Sequence, residues 1–436
     1  MARSLTAHLH ATDDTHAVTP LELFFDLVFV YAITQVTSFM AADPHTVSAF
    51  RGVVVLGLLW FGWVSFAWLG NQAKADEGLM RVTLVLAMGA MFVVAVAIPE
   101  AWNDRPGGLY APLVFVLAYA AGRALHLSVY FIAAAGDAGL RRTLVLTAAP
   151  VGAAMAVLVA GAFLDGAART AAWAVALAID FSGVYVTARK AAWRLPAAAH
   201  FAERHGLIVL IALGESIVAI GVGATALPVS GPVLVAVLLG LAVIVALWWL
   251  YFDVVAIVAE GVLTRARGAE RADLARDSYT YLHFPMVVGI VYLALGLKKV
   301  VTLVADDAHY NLSDALTGLP LVALYGGVVL YLLAHVGFRL RNVHSVNVQR
   351  LLVAALLIVL VPVAWQLPAL GALALLAAVL TALVAYESVA HAEWRAEVRH
   401  QERAAAEVPG HPDRPDEHDG HPAAENADLG TVQLDD

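Results

Sequence analysis

Apolar residues in this 436-residue chain fall into twelve blocks of about twenty, at 20–40, 51–70, 80–99, 110–134, 143–164, 170–188, 205–226, 231–256, 279–304, 318–339, 350–367 and 369–388. Nothing else in the sequence narrows the fold so far. Twenty residues of helix rise about 30 Å, the thickness of a bilayer's hydrocarbon. Backbone groups in lipid must be satisfied within their own segment, and the short alternating segments of a β-barrel are missing. With 61% hydrophobic and 14% charged residues, the chain reads as an all-α polytopic membrane protein of about twelve transmembrane helices. The first 19 residues are polar and the first apolar block is already a full span, so no cleavable signal peptide is expected. Cysteine is absent, which excludes disulfides, thiolate metal sites and cysteine nucleophiles. No cofactor or metal set is expected, and no nucleic-acid partner.

Lys and Arg residues set the orientation. With twelve spans, nineteen of them fall on the side holding both termini, against Arg51, Arg105 and Arg169 on the other. Both termini are therefore expected in the cytoplasm, with the protein in the bacterial inner (plasma) membrane. Residues 1–19 form a cytoplasmic lead-in. Residues 20–190 and 191–392 hold six spans each, and an offset of 181 residues lays Glu22 on Glu203 and Trp68-Leu69 on Trp249-Leu250. Few as these matches are, they suggest two parallel six-helix repeats related by an axis along the membrane normal. Residues 393–436 are acidic and carry His411, His418 and His421; lacking an apolar face, this tail is expected to be disordered.

Ionisable residues inside the spans carry the functional signal, since each costs about 2.5–3.5 kcal/mol at the centre of an isolated helix. Glu22 and Asp26 share one face of span 1, about 3 and 9 Å inside its edge. Glu22 is eased by the helix N-terminus and can reach water; Asp26 is deeper and shorter. In span 7, His200 and Arg204 lie one turn apart, and Glu215 returns to the same face three turns on, near the bilayer centre. There a carboxylate must meet a cation or take up a proton. Span 4 presents Tyr119, Arg123, His126 and Tyr130 as one polar stripe. Arg123 cannot shed its charge, so it should pair with Asp180 of span 6 or with Glu215, either as a static brace or as part of a working site. Asp253, His283, His335 and Arg339 sit in the cytoplasmic third of their spans, and with His126 and Asp26 suggest a protonatable vestibule. Pro285 should open span 9 just after His283. Lys298 and Lys299 are expected to snorkel outward, and Glu387 to lie at the interface. One acid in excess of Arg123 suits a proton relay.

The segments "PLELFFDLVFVYAITQ", "ERHGLIVLIALGES" and "WWLYFD" resemble the signature segments of the low temperature requirement A (LtrA) family of bacterial membrane proteins, over roughly residues 15–395. The family name refers to growth in the cold and implies no settled reaction, substrate or cofactor. The resemblance singles out Glu22, Asp26, Glu203, Arg204, Gly214, Glu215 and Asp253 as signature positions without assigned roles.

The physical reading favours a secondary transporter with a proton-coupled polar cavity for an unknown small solute. Glu215 and Asp180 would take protons, Arg123 would be charge partner or anion anchor, and Asp26, His283 and His335 would line the cytoplasmic approach. No Walker-type loop is present, which disfavours ATP-driven transport. The alternative is a membrane-embedded enzyme using His283, Asp26, Asp253 and Glu22 on a lipid or lipid-linked substrate; no HExxH or G-x-S-x-G motif supports it. A channel would need a pore filter, and none is visible.

Overall fold

Thr19 opens the first helix with a reciprocal cap. Its hydroxyl accepts from the Glu22 amide at 3.3 Å, and Glu22 Oε2 accepts from the Thr19 amide at 3.0 Å. Pro20 follows at the one position where a missing amide costs nothing. From there α1 (Pro20–Ala42) buries Phe25, Phe29, Ala32, Ile33, Val36 and Met40 and turns Leu23, Phe24 and Leu27 outward. An apolar exterior over a packed interior stripe is what a helix at the rim of a lipid-embedded bundle requires.

The computed structural model describes residues 17–73, 75, 78–188, 193–225, 228–306, 308–390, 392 and 395. The tail expected to be disordered, with His411, His418 and His421, lies outside the described residues apart from residue 395, as do residues 1–16. After α1 come α2 (Thr46–Gly70), α3 (Gly78–Ala97), α4 (Ala111–Ala133), α5 (Ala138–Ala162), α6 (Gly166–Ala188), α7 (Ala198–Thr225), α8 (Gly231–Phe252), α9 (Val255–Arg265), α10 (Gly268–Leu274), α11 (His283–Ala305), α12 (Gly318–Val343), α13 (Val348–Ala364) and α14 (Ala369–Ala390). Among the described residues eleven helical segments are long and apolar enough to cross a membrane. The remaining block, 350–367, corresponds to α13, apolar but only 17 residues long and carrying Pro362 near its end. The chain is an all-α polytopic membrane protein.

Two breaks differ in place from the sequence expectation. Span 8 stops at Phe252, with Asp253 as its cap, and α9 and α10 make a short excursion. Span 9 is then entered through a π-helical turn, Ala275–Tyr281. The opening attributed to Pro285 thus falls before it, and Pro285 sits in the first turn of α11, where its missing amide is tolerated.

Helix packing follows the same order in both halves. α1 packs on α2 and α3, α3 on α4, α4 on α5, α5 on α6, and α2 reaches α6. Likewise α7 packs on α8 and α11, α11 on α12, α12 on α13, α13 on α14, and α8 reaches α14. α1 and α7 meet between the halves. Between α11 and α12 the backbones themselves meet: a Cβ on Gly289 would stand 2.5 Å from the Gly327 carbonyl oxygen, and one on Gly327 would stand 2.5 Å from that of Gly289. Only glycine permits such backbone contact.

Candidate functional site

Span 1 tolerates its two acids because one guanidinium, from α7, bridges them. Arg204 donates from Nη1 to Glu22 Oε1 and from Nη2 to Asp26 Oδ1, both at 2.7 Å. His200 Nε2 lies 3.1 Å from each Glu22 oxygen. Trp63 of α2 donates its indole N–H to Asp26 Oδ1 at 2.8 Å, and its ring lies 5.7 Å from the Arg204 guanidinium. All four ionisable groups are at most 1% exposed. A proton on His200, or on one carboxylate, brings the cluster to neutrality. A Cβ on Gly70 would stand 2.8 Å from Glu22 Oε1, so α2 closes directly over the acid. Glu203, the neighbouring signature acid, is exposed and takes no part in this cluster; Val18 N lies 3.4 Å from its Oε2.

A second charged group spans the first half. Arg123 of α4 donates from Nη2 to both oxygens of Asp180 on α6, at 3.0 and 3.2 Å. Its Nη1 reaches the Phe61 carbonyl at 3.0 Å and the Ser65 hydroxyl, both on α2. Of the two partners the sequence allowed, Asp180 is the one bound. Beside the pair lies a cavity of about 700 Å³, bounded by α2, α4, α5, α6, the segment 193–196 and α10. Arg123 and Ser65 line it at depth, and exposed Arg194 and Gly268 lie at its mouth. Of the polar stripe on α4, Arg123, His126 and Tyr130 line this cavity, whereas Tyr119 is fully buried outside it.

Glu215 belongs to neither group. It is 1% exposed on α7 and accepts from the Thr34 hydroxyl of α1. One turn further along α1, Ser38 Oγ receives Lys298 Nζ from α11 at 3.2 Å. Lys298 therefore does not snorkel outward. It is a half-buried cation held one turn from the Thr34 that bonds Glu215, and it corrects the expectation that Arg123 is the only fixed cation set against the mid-membrane acids.

The vestibule expected from Asp26, Asp253, His283 and His335 does not form. His283 and His335 are buried within a ring-packed interior of the second half. Tyr251 Oη is 2.8 Å from His283 Nε2, Tyr279 stacks on His283 at 5.2 Å, and Tyr331 packs on His335 at 4.3 Å. Their other nitrogens turn to backbone: His283 Nδ1 to the Ser278 carbonyl at 3.0 Å, and His335 Nδ1 to that of Tyr331 at 3.1 Å. An imidazole among rings packs like a small aromatic, which the depth of a residue in a span cannot reveal. Asp253 pairs with Arg395 at 2.5 Å, and Glu387 holds Arg350 at 2.9 Å. The nominated residues thus form five separate groups rather than one chamber, and Arg123 and His126, with Tyr130 of the same stripe, are the ones that line the large cavity.

Sequence reasoning missed Trp63, Lys298 and the cavity wall supplied by Trp193 and α10. Trp63 carried no signal among the aromatics of span 2. The Arg204 partnership did carry one, since the 181-residue offset sets residue 204 within one position of Glu22.

The family model described as bacterial low temperature requirement A protein (LtrA) matches residues 17–385. A relative from Rhizobium meliloti (strain 1021), described as uncharacterized protein RA0937, is 29% identical over 331 residues, covering 72% of this chain and 77% of the relative. No solved structure matches the chain. Over all the described spans but the last turns of α14, from the capped acid pair of α1 onward, the chain belongs to the bacterial low temperature requirement A family.

Proposed function

We propose that this protein is a secondary transporter of the bacterial inner membrane, with both termini cytoplasmic. The supporting observation is the cavity that runs from exposed Arg194 down to the buried Arg123–Asp180 pair. Its hydroxyls favour binding over chemistry. Ser65 is engaged by Arg123 and bonds the Phe61 carbonyl, while Thr147 bonds the Thr143 carbonyl. His126 is the base in the lining, and neither of these two hydroxyls is bonded to it.

Two six-helix repeats would supply the moving parts. In both halves the helices pack in the same order. Moreover, α1 and α7 touch at separations of 178, 181 and 182 residues, close to the 181-residue offset at which the halves match in sequence. Parallel helices flanking a twofold axis along the membrane normal meet in this way. Glu215 sits at that seam, accepting from Thr34 of α1, with Lys298 of α11 bonded to Ser38 one turn further along α1, and is the proposed proton-coupling carboxylate.

The test is reconstitution into liposomes with a trapped pH-sensitive dye and candidate solutes added outside. A solute-dependent pH change in wild type that is lost in Glu215→Gln is the expected result. Equal signals in both would remove Glu215 from the mechanism. Absence of any flux, with turnover of a lipid by the purified protein, would replace transport by the enzymatic alternative.

A further inference from the structure

Resting on the reading of the large cavity as the solute site, we infer that its ligand is an organic anion with a flat aromatic body. The charge of the lining comes first. Among the described residues Arg123, Arg194, Arg271 and Arg276 line the cavity, against the single carboxylate of Asp273. Each arginine has a protein partner: Asp180 for Arg123, Asp137 for Arg194, Asp273 and Asp277 for Arg276, and the Leu195 and Pro196 carbonyls for Arg271. Asp180, Asp137 and Asp277 stand behind the wall, so the surface presented to a ligand is predominantly cationic. A narrow apolar cleft focuses such a field toward an anion.

The second observation is a set of unspent donors. Tyr130 Oη, Trp193 Nε1 and Arg123 Nε are buried and have no hydrogen-bond partner among the described residues, and all three residues line this one cavity. His126, also in the lining, leaves both ring nitrogens without a partner among the described residues; buried polar groups are satisfied in nearly all folded proteins, so such a wall marks where a ligand's polar atoms are missing. An indole N–H and a guanidinium N–H can only donate. The complement is therefore an acceptor-rich group, such as a carboxylate or sulfonate.

The walls specify the body. Phe61, Trp68, Tyr130, Trp193 and Tyr281 supply rings, with Val64, Leu127 and Val151 between them. Tyr130 and Trp193 meet edge to face at 5.6 Å. Aromatic walls favour a flat π-surface, and about 700 Å³ suits a bicyclic molecule better than an inorganic ion. An acyl chain bearing an acidic head group shares the anion-on-apolar-body chemistry, so the test separates the two sources.

Binding is read by isothermal titration calorimetry on the full chain in zwitterionic-lipid nanodiscs, with naphthalene-2-carboxylate as probe and 2-naphthylmethanol and 2-naphthylmethylammonium as neutral and cationic controls. The carboxylate should bind at least ten-fold more tightly than either control. Tyr130→Phe and Trp193→Phe keep the rings and remove one donor each, and each should weaken the carboxylate roughly ten-fold while leaving the neutral probe unchanged. His335→Phe, in the other half, should leave both unchanged. Equal affinity for the three probes, or full carboxylate affinity in both donor variants, would overturn the inference. Displacement of the probe by phosphatidylglycerol in the nanodisc would also overturn it, assigning the site to lipid. Carboxylate binding with no flux of the same probe into proteoliposomes would uphold the ligand class and remove the transport reading.

Discussion

The two halves pack their helices in one order but fill their interiors differently. Between α2, α4 and α6 the first half keeps a cavity, with Arg123 and Asp180 at its side. Among α8, α11, α12 and the π-helical turn the second half is packed with Tyr251, Tyr279, His283, Tyr331, His335 and Phe338. The backbone scheme is thus indifferent to whether its centre is wet or dry; side-chain volume decides. Even the anchoring bonds correspond. Arg123 reaches from α4 to the Phe61 carbonyl on α2, and Tyr331 reaches from α12 to the Leu247 carbonyl on α8 at 2.7 Å. One half puts this bond on a charge beside a cavity, the other on a phenol locked in place.

The seam between the halves is the most sensitive point of this comparison. Arg204→Met leaves Glu22 and Asp26 buried without their cation, and should cost about 3–5 kcal/mol in reversible unfolding or abolish folded protein. Adding Glu22→Gln and Asp26→Asn should recover most of the loss. Failure of that recovery would show that α1 and α7 are joined by something other than charge.

Equivalent helix pairs sharpen the contrast next. Gly289→Ala places a methyl against the Gly327 carbonyl, which cannot yield, and should cost about 1–3 kcal/mol. In the first half Gly122→Ala meets only the Met91 terminal methyl at 2.6 Å. That flexible end can swing away, and the cost should stay below about 1 kcal/mol. Thermal unfolding of the two variants side by side checks the order.

Smaller still is His335→Phe, a ring for a ring. If the second interior is a packed plug, it should cost less than about 1.5 kcal/mol in the same assay. A larger loss would mean that the imidazole nitrogens matter there.

The smallest effect concerns helix caps. Asp137 accepts from the Leu140 amide at 3.0 Å to start α5, and Asn347 accepts from that of Arg350 at 3.1 Å to start α13. The Leu140 hydrogen bond, and then the charge of Arg194, hold the Asp137 carboxyl below its ordinary value. A depressed carboxyl contributes stability above its unfolded pKa and loses it as pH falls through the folded one. Asp137→Asn, which makes the first cap resemble the second, should leave neutral-pH stability nearly unchanged and flatten the acid limb of a melting-temperature profile.

Much of the architecture was legible because lipid demands it. Twenty-residue apolar blocks gave the spans, and the partner of Arg123 could be narrowed to Asp180 or Glu215 because a guanidinium at that depth has few possible partners. The proximity of α1 and α7 was latent in the 181-residue offset. What could not be read was the direction in which a polar side chain turns. His283 and His126 look alike in a hydropathy profile, yet one packs against Tyr251 and the other lines a cavity. Lys298 was equally opaque, since its inward reach depends on Ser38 lying one turn beyond Thr34 on another helix. The cavity itself is a property of what neighbours leave unfilled, and no single span records it.

Backbone contact at Gly289 and Gly327 has a mechanical consequence. With no side chains between them, α11 and α12 cannot shear past each other without first separating, so they behave as a single lever. α1 and α7, joined by long flexible side chains, have the softer coupling. Any rocking that exposes the cavity to the opposite face should therefore hinge at the α1–α7 joint while the α11–α12 lever stays rigid.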